Sequence, residues 1–453
     1  MKRLLSSYIV CLLALTCFAQ TTQTWSGKLK LGAQELSIGF TIKTLSDGQQ
    51  SCTMDIPEQG AKDFPVQLLK YDADSLCIAI PALQASYKGH MTTPNNIQGT
   101  FSQMGYTFPL NLTPSAITLN RPQTPTPPFA YKTQEVTFHS PKTNATLSGT
   151  LTYPVNYNEQ NAHSTPVVLM VTGSGAQNRD EELFDHKPFL VIADHLAKNG
   201  IASLRYDDRG FASSTGNLDG TTADNLADAE AAIQYLRSLK QFGKVGVIGH
   251  SEGGSIAFML GANQSVDFLV SLAGTAAKGM DVLIGQNKAI LPLQGVPQEM
   301  ANDYATVLKV IFEDRIQGNK IDNPSQYVAS ICENHKINLP LQLTTNLEQC
   351  ISFGGQWMDY FLAYDPTTAI RQITCPVMAL NGTLDMQVLC QDNIPLIRQH
   401  LPANKQHLIK EYEALNHFFQ HCTPATALNY GQIEETISTE VLSDLVTWIQ
   451  TIK

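Results

Sequence analysis

Three residues far apart in this chain have the types needed to make a nucleophile together: Ser251, Asp385 and His417. A serine hydroxyl reacts poorly at neutral pH. It needs an imidazole to take its proton and a carboxylate to orient that imidazole. Ser251 lies in Gly249-His250-Ser251-Glu252-Gly253, Asp385 closes Gly382-Thr383-Leu384-Asp385, and His417 lies in Asn416-His417-Phe418-Phe419. The order serine, acid, histidine is the one used when the serine sits on a turn between a strand and a helix. The flanking glycines fit such an elbow, because a side chain at either position would collide across the turn. An acyl transfer also needs two fixed N–H donors for the oxyanion. One is expected from Glu252, the residue after the nucleophile. The other is expected from Gly173-Ser174-Gly175, at Ser174 with Gly175 as the alternative. That glycine pair lacks the spacing of a phosphate loop or dinucleotide fingerprint.

The competing residues receive blander readings. His250 adjoins Ser251, but neighbours on so tight a turn point apart. His421 is the best rival base, and Asp392 and Asp365 are rival acids; His186 and His195 read as surface or packing residues. Arg179-Asp180 and Asp207-Asp208-Arg209-Gly210 follow strand ends, where they either hold the oxyanion loop or form structural salt bridges. Glu181-Glu182 reads as a surface turn. Trp357, Tyr360, Phe361 and Tyr364 either line a pocket or pack an insertion onto the core.

The surrounding elements must bring these residues together. Apolar runs at 167–171, 201–206, 245–248, 268–274 and 376–382 alternate with helical stretches at 188–198 and 223–240. Near-continuous apolar strands separated by helices call for a mainly parallel sheet covered on both faces. The rhythm breaks over 275–365, where amphipathic helices are expected at 300–312 and 325–335 and together form a lid. A final helix is expected at about 433–452. Residues 20–120 show period-two alternation and frequent turn signals, the pattern of a small all-β domain. Four prolines at 121–128 mark a semi-rigid linker, assigned to 121–130. The catalytic domain is then 131–274 together with 366–453.

The composition excludes several function classes. The chain has 453 residues and a net charge of −10, with no basic block, which argues against a nucleic-acid partner. Lys2 and Arg3, then the short apolar run 8–15, then Cys17-Phe18-Ala19, read as a signal peptide over 1–19 cleaved after Ala19. Export to a periplasm or the exterior follows, without stable membrane insertion. Seven of the nine cysteines lie beyond that signal. Cys52 with Cys77 and Cys332 with Cys350 are candidate bridges, and buried free thiols are the equal alternative. No Cys-x-x-Cys pair occurs, so no metal site is expected.

Ser251 in its elbow, Asp385 in Gly-x-x-Asp and His417 in Asn-His-Phe-Phe resemble the α/β-hydrolase superfamily. Together with Gly173-Ser174-Gly175, Arg179-Asp180, Asp207-Asp208-Arg209-Gly210 and Tyr364-Asp365-Pro366, they are similar to bacterial serine carboxylesterases of the esterase D type. These are distant relatives of prolyl-oligopeptidase-like enzymes. Thr172 departs from the histidine that many hydrolases place before the oxyanion glycines. The resemblance implies an α/β-hydrolase fold with a helical cap behind a β-rich N-terminal domain. It also implies hydrolysis of short-chain carboxylic esters, a small-molecule ester as partner, and neither metal nor organic cofactor. An exo-peptidase or amidase, or an acyltransferase, would use the same three residues.

Overall fold

The structure is a computed structural model that describes residues 21–31, 34–45, 47–117 and 119–452. The expected signal peptide lies outside the described residues. The chain divides into two compact units, Met1–Leu119 and Asn120–Lys453.

The first unit is a meander of antiparallel strands from Thr21–Leu31 to Tyr106–Pro109, each paired with its sequence neighbour. The segment after the last of these strands closes the sheet. Thr113–Pro114 pairs with the first strand, while Ile97 and Leu112 exchange backbone hydrogen bonds of 2.9 and 2.8 Å. Closure leaves few open edges. Alternation along the strands turns Trp25, Phe40, Met54, Ile78 and Tyr87 into one apolar interior.

The second unit is built on an eight-stranded sheet. Its spatial order is Thr133–Ser140, Ala145–Thr152, Ala202–Tyr206, Val167–Val171, Val245–His250, Phe268–Leu272, Val377–Gly382 and Leu408–Tyr412. The first two strands are antiparallel, and the remaining six are parallel to one another. All five residues of Val167–Val171 are buried. Its alternate residues feed two separate cores, Val167, Leu169 and Val171 on one face and Val168 and Met170 on the other. A strand sandwiched between helices has no solvent face, which is why it reads as a continuous apolar run. This is the α/β-hydrolase fold that the motifs lead one to expect.

Local signals set the helix ends. Thr221 and Asp224 form a reciprocal capping box at the start of Thr222–Leu239. Ser438 caps Thr439–Thr451. The last helix is therefore shorter than the expected 433–452: the chain before Ser438 is occupied by a short 3-10 turn at Tyr430–Gln432 and hydrogen bonds to Gln123. Between Phe268–Leu272 and Val377–Gly382 come Gly279–Leu293, Gln298–Ile316, Pro324–His335, Leu341–Ser352 and Gly355–Ala363, all helical. They share a core of their own around Tyr304, Leu308, Ile311 and Leu347. The proline-rich stretch does not hang free. The Arg121 guanidinium donates to the carbonyls of Phe184, Gly431 and Ile433 within the second unit.

Candidate active site

The strand Val245–His250 runs into Ser251, whose φ of 55° and ψ of −119° lie in a strained region for a non-glycine residue. The helix Glu252–Ala262 starts at the next residue, so the turn from strand to helix is made by one residue. Glycine is required on both sides. A Cβ at Gly249 would strike the Gly253 carbonyl, and one at Gly253 would strike the carbonyls of Val171 and Thr172. The helix is buried on nearly every side, and its two polar residues, Glu252 and Ser255, are hydrogen-bonded.

Asp385 and His417 come from the two loops beyond the last parallel strands, and the structure brings them together. His417 Nδ1 lies 2.8 Å from Asp385 Oδ2. Asp385 is held rigidly: Oδ1 accepts the N–H groups of Gln387 and Val388 at 2.8 and 2.9 Å, and Oδ2 accepts from Asn381 at 3.1 Å. A carboxylate with both oxygens engaged fixes the Nδ1–H tautomer and leaves Nε2 as the free base. Asp385 and His417 are 2% and 3% exposed. Among the described residues no hydrogen bond joins Ser251 Oγ to His417.

The loop expected to supply an oxyanion donor follows Val167–Val171. The Gly173 N–H is spent on Glu181 Oε1 at 2.9 Å. Among the described residues, no internal acceptor takes the N–H of Ser174 or of Glu252, the first residue of its helix. The Ser174 hydroxyl donates to Glu252 Oε2 at 2.7 Å, which ties the loop to the elbow. Thr172, standing where other hydrolases carry histidine, donates its hydroxyl to Asp208 at 2.8 Å, and Asp208 also accepts the Gln177 N–H at 2.8 Å. Burial pushes the Asp208 carboxyl up to about 7, against the Thr172 and Gln177 hydrogen bonds and with the charges of Glu181 and Glu252 adding to it.

The other motif residues separate into clear roles. Arg179 pairs with Asp207 and Glu135, Arg205 with Asp180, and Arg209 with Asp228 at 2.8 Å. Arg179 also donates its backbone N–H to Asp207 at 2.8 Å, so that pair anchors the oxyanion loop. His421 is exposed and bonded to Glu435, outside the cluster. Asp365 accepts from Thr367, and Asp392 lines a cavity that Lys288 and Asp385 also border, with no hydrogen bond from Asp392 to His417 among the described residues. His186 is buried against Thr436 and Tyr430, and burial lowers it to about 4, with Arg121 adding to the effect. Of the four aromatics at the end of the insertion, Trp357 reaches the elbow, donating Nε1–H to both Glu252 oxygens at 3.1 and 2.9 Å. Phe361 stacks on Trp357 with ring centres 5.2 Å apart, while Tyr360 and Tyr364 stack on each other at 5.7 Å and pack against the core of the second unit. A cavity of about 700 Å³ is lined by Ser174, Gly175, Asp208, Leu218, Phe353 and Trp357 among others. All seven described cysteines are free thiols, so neither Cys52–Cys77 nor Cys332–Cys350 is bridged. Among the described residues no group of three or more His, Cys, Asp or Glu is placed to hold a metal ion, and no helix is long and apolar enough to cross a membrane.

Two expectations are corrected here. Glu181 is not on a surface turn: it is 2% exposed, in a left-handed conformation at φ 52°. His250 does point away from Ser251, but it is not idle. Its Nδ1 lies 2.9 Å from Glu181 Oε1 and its Nε2 lies 3.0 Å from the carbonyl oxygen of His417.

Residues 144–419, more than half of the chain, match the X-Pro dipeptidyl-peptidase (S15) family. Esterase EstD of Thermotoga maritima is 24% identical over 284 residues, which are 61% of this chain and 61% of that relative's length. Among solved structures, an esterase of Pyrococcus furiosus aligns over 74% of this chain and 99% of its own, at 14% identity and a TM-score of 0.42. Proline iminopeptidase of Mycobacterium smegmatis aligns over 70% of this chain and 98% of its own, at 14% identity and a TM-score of 0.42.

Proposed function

The chain belongs to the X-Pro dipeptidyl-peptidase (S15) family, and on that premise we propose that it is a serine hydrolase that cleaves short-chain carboxylic esters through an acyl-enzyme. The observation that carries this reading is the Asp385–His417 pair at 2.8 Å, two loops away from a serine held at φ 55° on the elbow. In the first half-reaction Ser251 Oγ attacks the carbonyl carbon while His417 Nε2 takes its proton. The oxyanion is received by the N–H groups of Glu252 and Ser174. The proton then passes from Nε2 to the departing alcohol oxygen as the C–O bond breaks. In the second half, water gives a proton to Nε2 and attacks the acyl carbon; the bond from that carbon to Ser251 Oγ then breaks, Nε2 returns the proton to Oγ, and the acid leaves. Asp385 stays ionised throughout and stabilises the imidazolium. The cavity beside Ser174 and Trp357 offers room for the acyl or alcohol part, closed on one side by the insertion.

The name of the related Esterase EstD supports an ester over an amide, and the family's own name keeps an aminoacyl amide as the second reading. The test is turnover of p-nitrophenyl acetate and butyrate beside aminoacyl p-nitroanilides. Ser251→Ala is expected to lower ester turnover by about 10⁶, the scale known for a triad serine. Equal turnover in the variant removes the assignment, and faster release of nitroaniline than of nitrophenol selects the amidase.

We also propose that the enzyme works after export, in a periplasm or outside the cell. Lys2, Arg3 and the apolar run 8–15 support this. N-terminal sequencing of the exported form should begin at Gln20; recovery only of chains starting at Met1 would refute it.

A further inference from the structure

His250 and Glu181 do not touch the reacting atoms, yet they join the three segments that the reaction depends on. His250 ends the elbow strand. Glu181 belongs to the oxyanion loop and binds the Gly173 N–H at 2.9 Å. The third contact is the carbonyl of His417 itself, 3.0 Å from His250 Nε2. The two imidazoles lie with ring centres 4.7 Å apart.

The chemistry of the partners fixes the charge. A carbonyl oxygen and an ionised carboxylate only accept hydrogen bonds. Both contacts of His250 are hydrogen bonds only if both ring nitrogens carry protons, which makes the ring an imidazolium. The Gly173 N–H donating to the same Glu181 oxygen favours the ionised carboxylate. A neutral ring would aim a lone pair at an oxygen in a site where His250 is 5% exposed. An unmade bond of that kind is costly in a dry interior.

We propose that Glu181 and the imidazolium of His250 form a charged strut that sets the oxyanion loop and the His417 loop on the elbow, making both of them positioning residues for the hydrolysis. The proposal rests on the serine-hydrolase reading above. The charged and titratable groups facing His250 are Glu181 from the oxyanion loop, and Asp385 and His417 from the two loops at the other side of the sheet, with the Phe418 ring 5.5 Å away. Burial lowers the His250 proton affinity, but Glu181, the His417 carbonyl and Asp385 together outweigh it and raise it above the ordinary value. The sign follows. The strut is complete below that raised value and is lost as pH rises through it.

The test measures three quantities across the pH range: the rate at which a fluorophosphonate labels Ser251, and kcat and KM for p-nitrophenyl acetate. Glu181→Gln keeps the side chain's shape and an acceptor for Gly173 but removes the charge that holds the second proton on His250. It is expected to lower kcat by about 10- to 100-fold, the scale of a small misplacement of catalytic groups, with KM nearly unchanged. The alkaline decline of kcat should move to lower pH. His250→Gln does not titrate and should remove that decline altogether. If His250→Gln fails to fold, Glu181→Gln decides alone. A Glu181→Gln enzyme with wild-type kcat, labelling rate and alkaline midpoint overturns the strut. A wild-type enzyme that the probe does not label overturns the serine-hydrolase reading instead.

Discussion

The N-terminal barrel and the carboxyl edge of the parallel sheet bury very different groups. In the barrel the interior is Trp25, Phe40, Met54, Ile78, Tyr87 and their apolar neighbours, and Ser37 is the one buried residue classed as polar or charged among the described residues 21–117. In the second unit Glu181, Arg205, Asp207, Arg209, Asp228, His250, Glu252, Asp385 and His417 are all buried. Taking a charge out of water costs several kcal/mol unless it is paired and fully hydrogen-bonded. An apolar filling would hold the second unit together at least as well. The charges are concentrated at or just beyond the ends of strands Val167–Val171, Ala202–Tyr206, Val245–His250 and Val377–Gly382, where loops must be held still without being packed solid. The difference teaches that the barrel is built for cohesion and the sheet edge for placement. A loop with an N–H left without an internal acceptor among the described residues, as that of Ser174 is, cannot be fixed by apolar side chains alone, because its backbone must remain polar and reachable.

The contrast breaks most visibly at Arg209. This guanidinium binds Asp228 at 2.8 Å, the Asn217 carbonyl at 2.8 Å and Asn225 at 3.0 Å. Arg209→Met fills similar space and leaves the Asp228 carboxylate, 2% exposed, with Thr143 as its remaining partner. The expected loss is about 3–5 kcal/mol, the cost of stranding one member of a buried pair. Chemical denaturation of the full chain measures it. A loss no larger than that of an ordinary surface substitution, within about 0.5 kcal/mol, would show that the buried charges are not a liability and would end the comparison.

What the sequence made legible, and what it did not, follows the same division. Ser251 was legible because an elbow is a local object: a strand, two glycines and a helix fall within a dozen residues. Asp385 and His417 were legible because each follows a strand end in an order that the fold dictates. The Glu181–His250 and His250–His417 contacts were not, since they join residues 69 and 167 positions apart and neither partner carries a local signal. The same holds for Trp357, which meets Glu252 across 105 positions. Helical periodicity located the insertion, but nothing in it told Trp357, which reaches the elbow, from Phe361, which packs. In the barrel the alternating strands were plain. Their closure was not, because the segment that accomplishes it, Leu112-Thr113-Pro114, is too short to show an alternating pattern and contains a proline.

The second test sharpens the comparison through pH and has a smaller effect than the loss of Arg209 at any pH near the lower end of its range. An ordinary carboxyl titrates near ~3.9 in the unfolded chain. In the folded chain Asp208 holds its proton to about 7, because burial disfavours its charged form. Between those values the folded state keeps a proton that the unfolded state has released, so this group makes stability fall as pH rises, and the fall stops above the folded value. His186 has the opposite sign: burial lowers it to about 4, so its contribution is lost as pH falls through that range. The two offset each other in the wild type, and a single stability profile would hide both. Asp208→Asn isolates one of them. Asparagine can still accept the Gln177 N–H and engage Thr172, and it never ionises, while His186 is common to both proteins and cancels in the difference. Calorimetric midpoints of wild type and variant should therefore separate progressively, in the variant's favour, as pH rises from about 4 towards about 7, and then run parallel. The barrel offers the control: Cys52, its buried thiol, is pushed up to about 12 by burial with Asp55 adding, far outside that window. Midpoints that stay parallel across the whole range would mean that Asp208 is not shielded from water. The sheet edge would then be wetter than its hydrogen bonds imply, and the distinction between a dry site of placement and a dry core of cohesion would have to be redrawn around Glu181 and His250 alone.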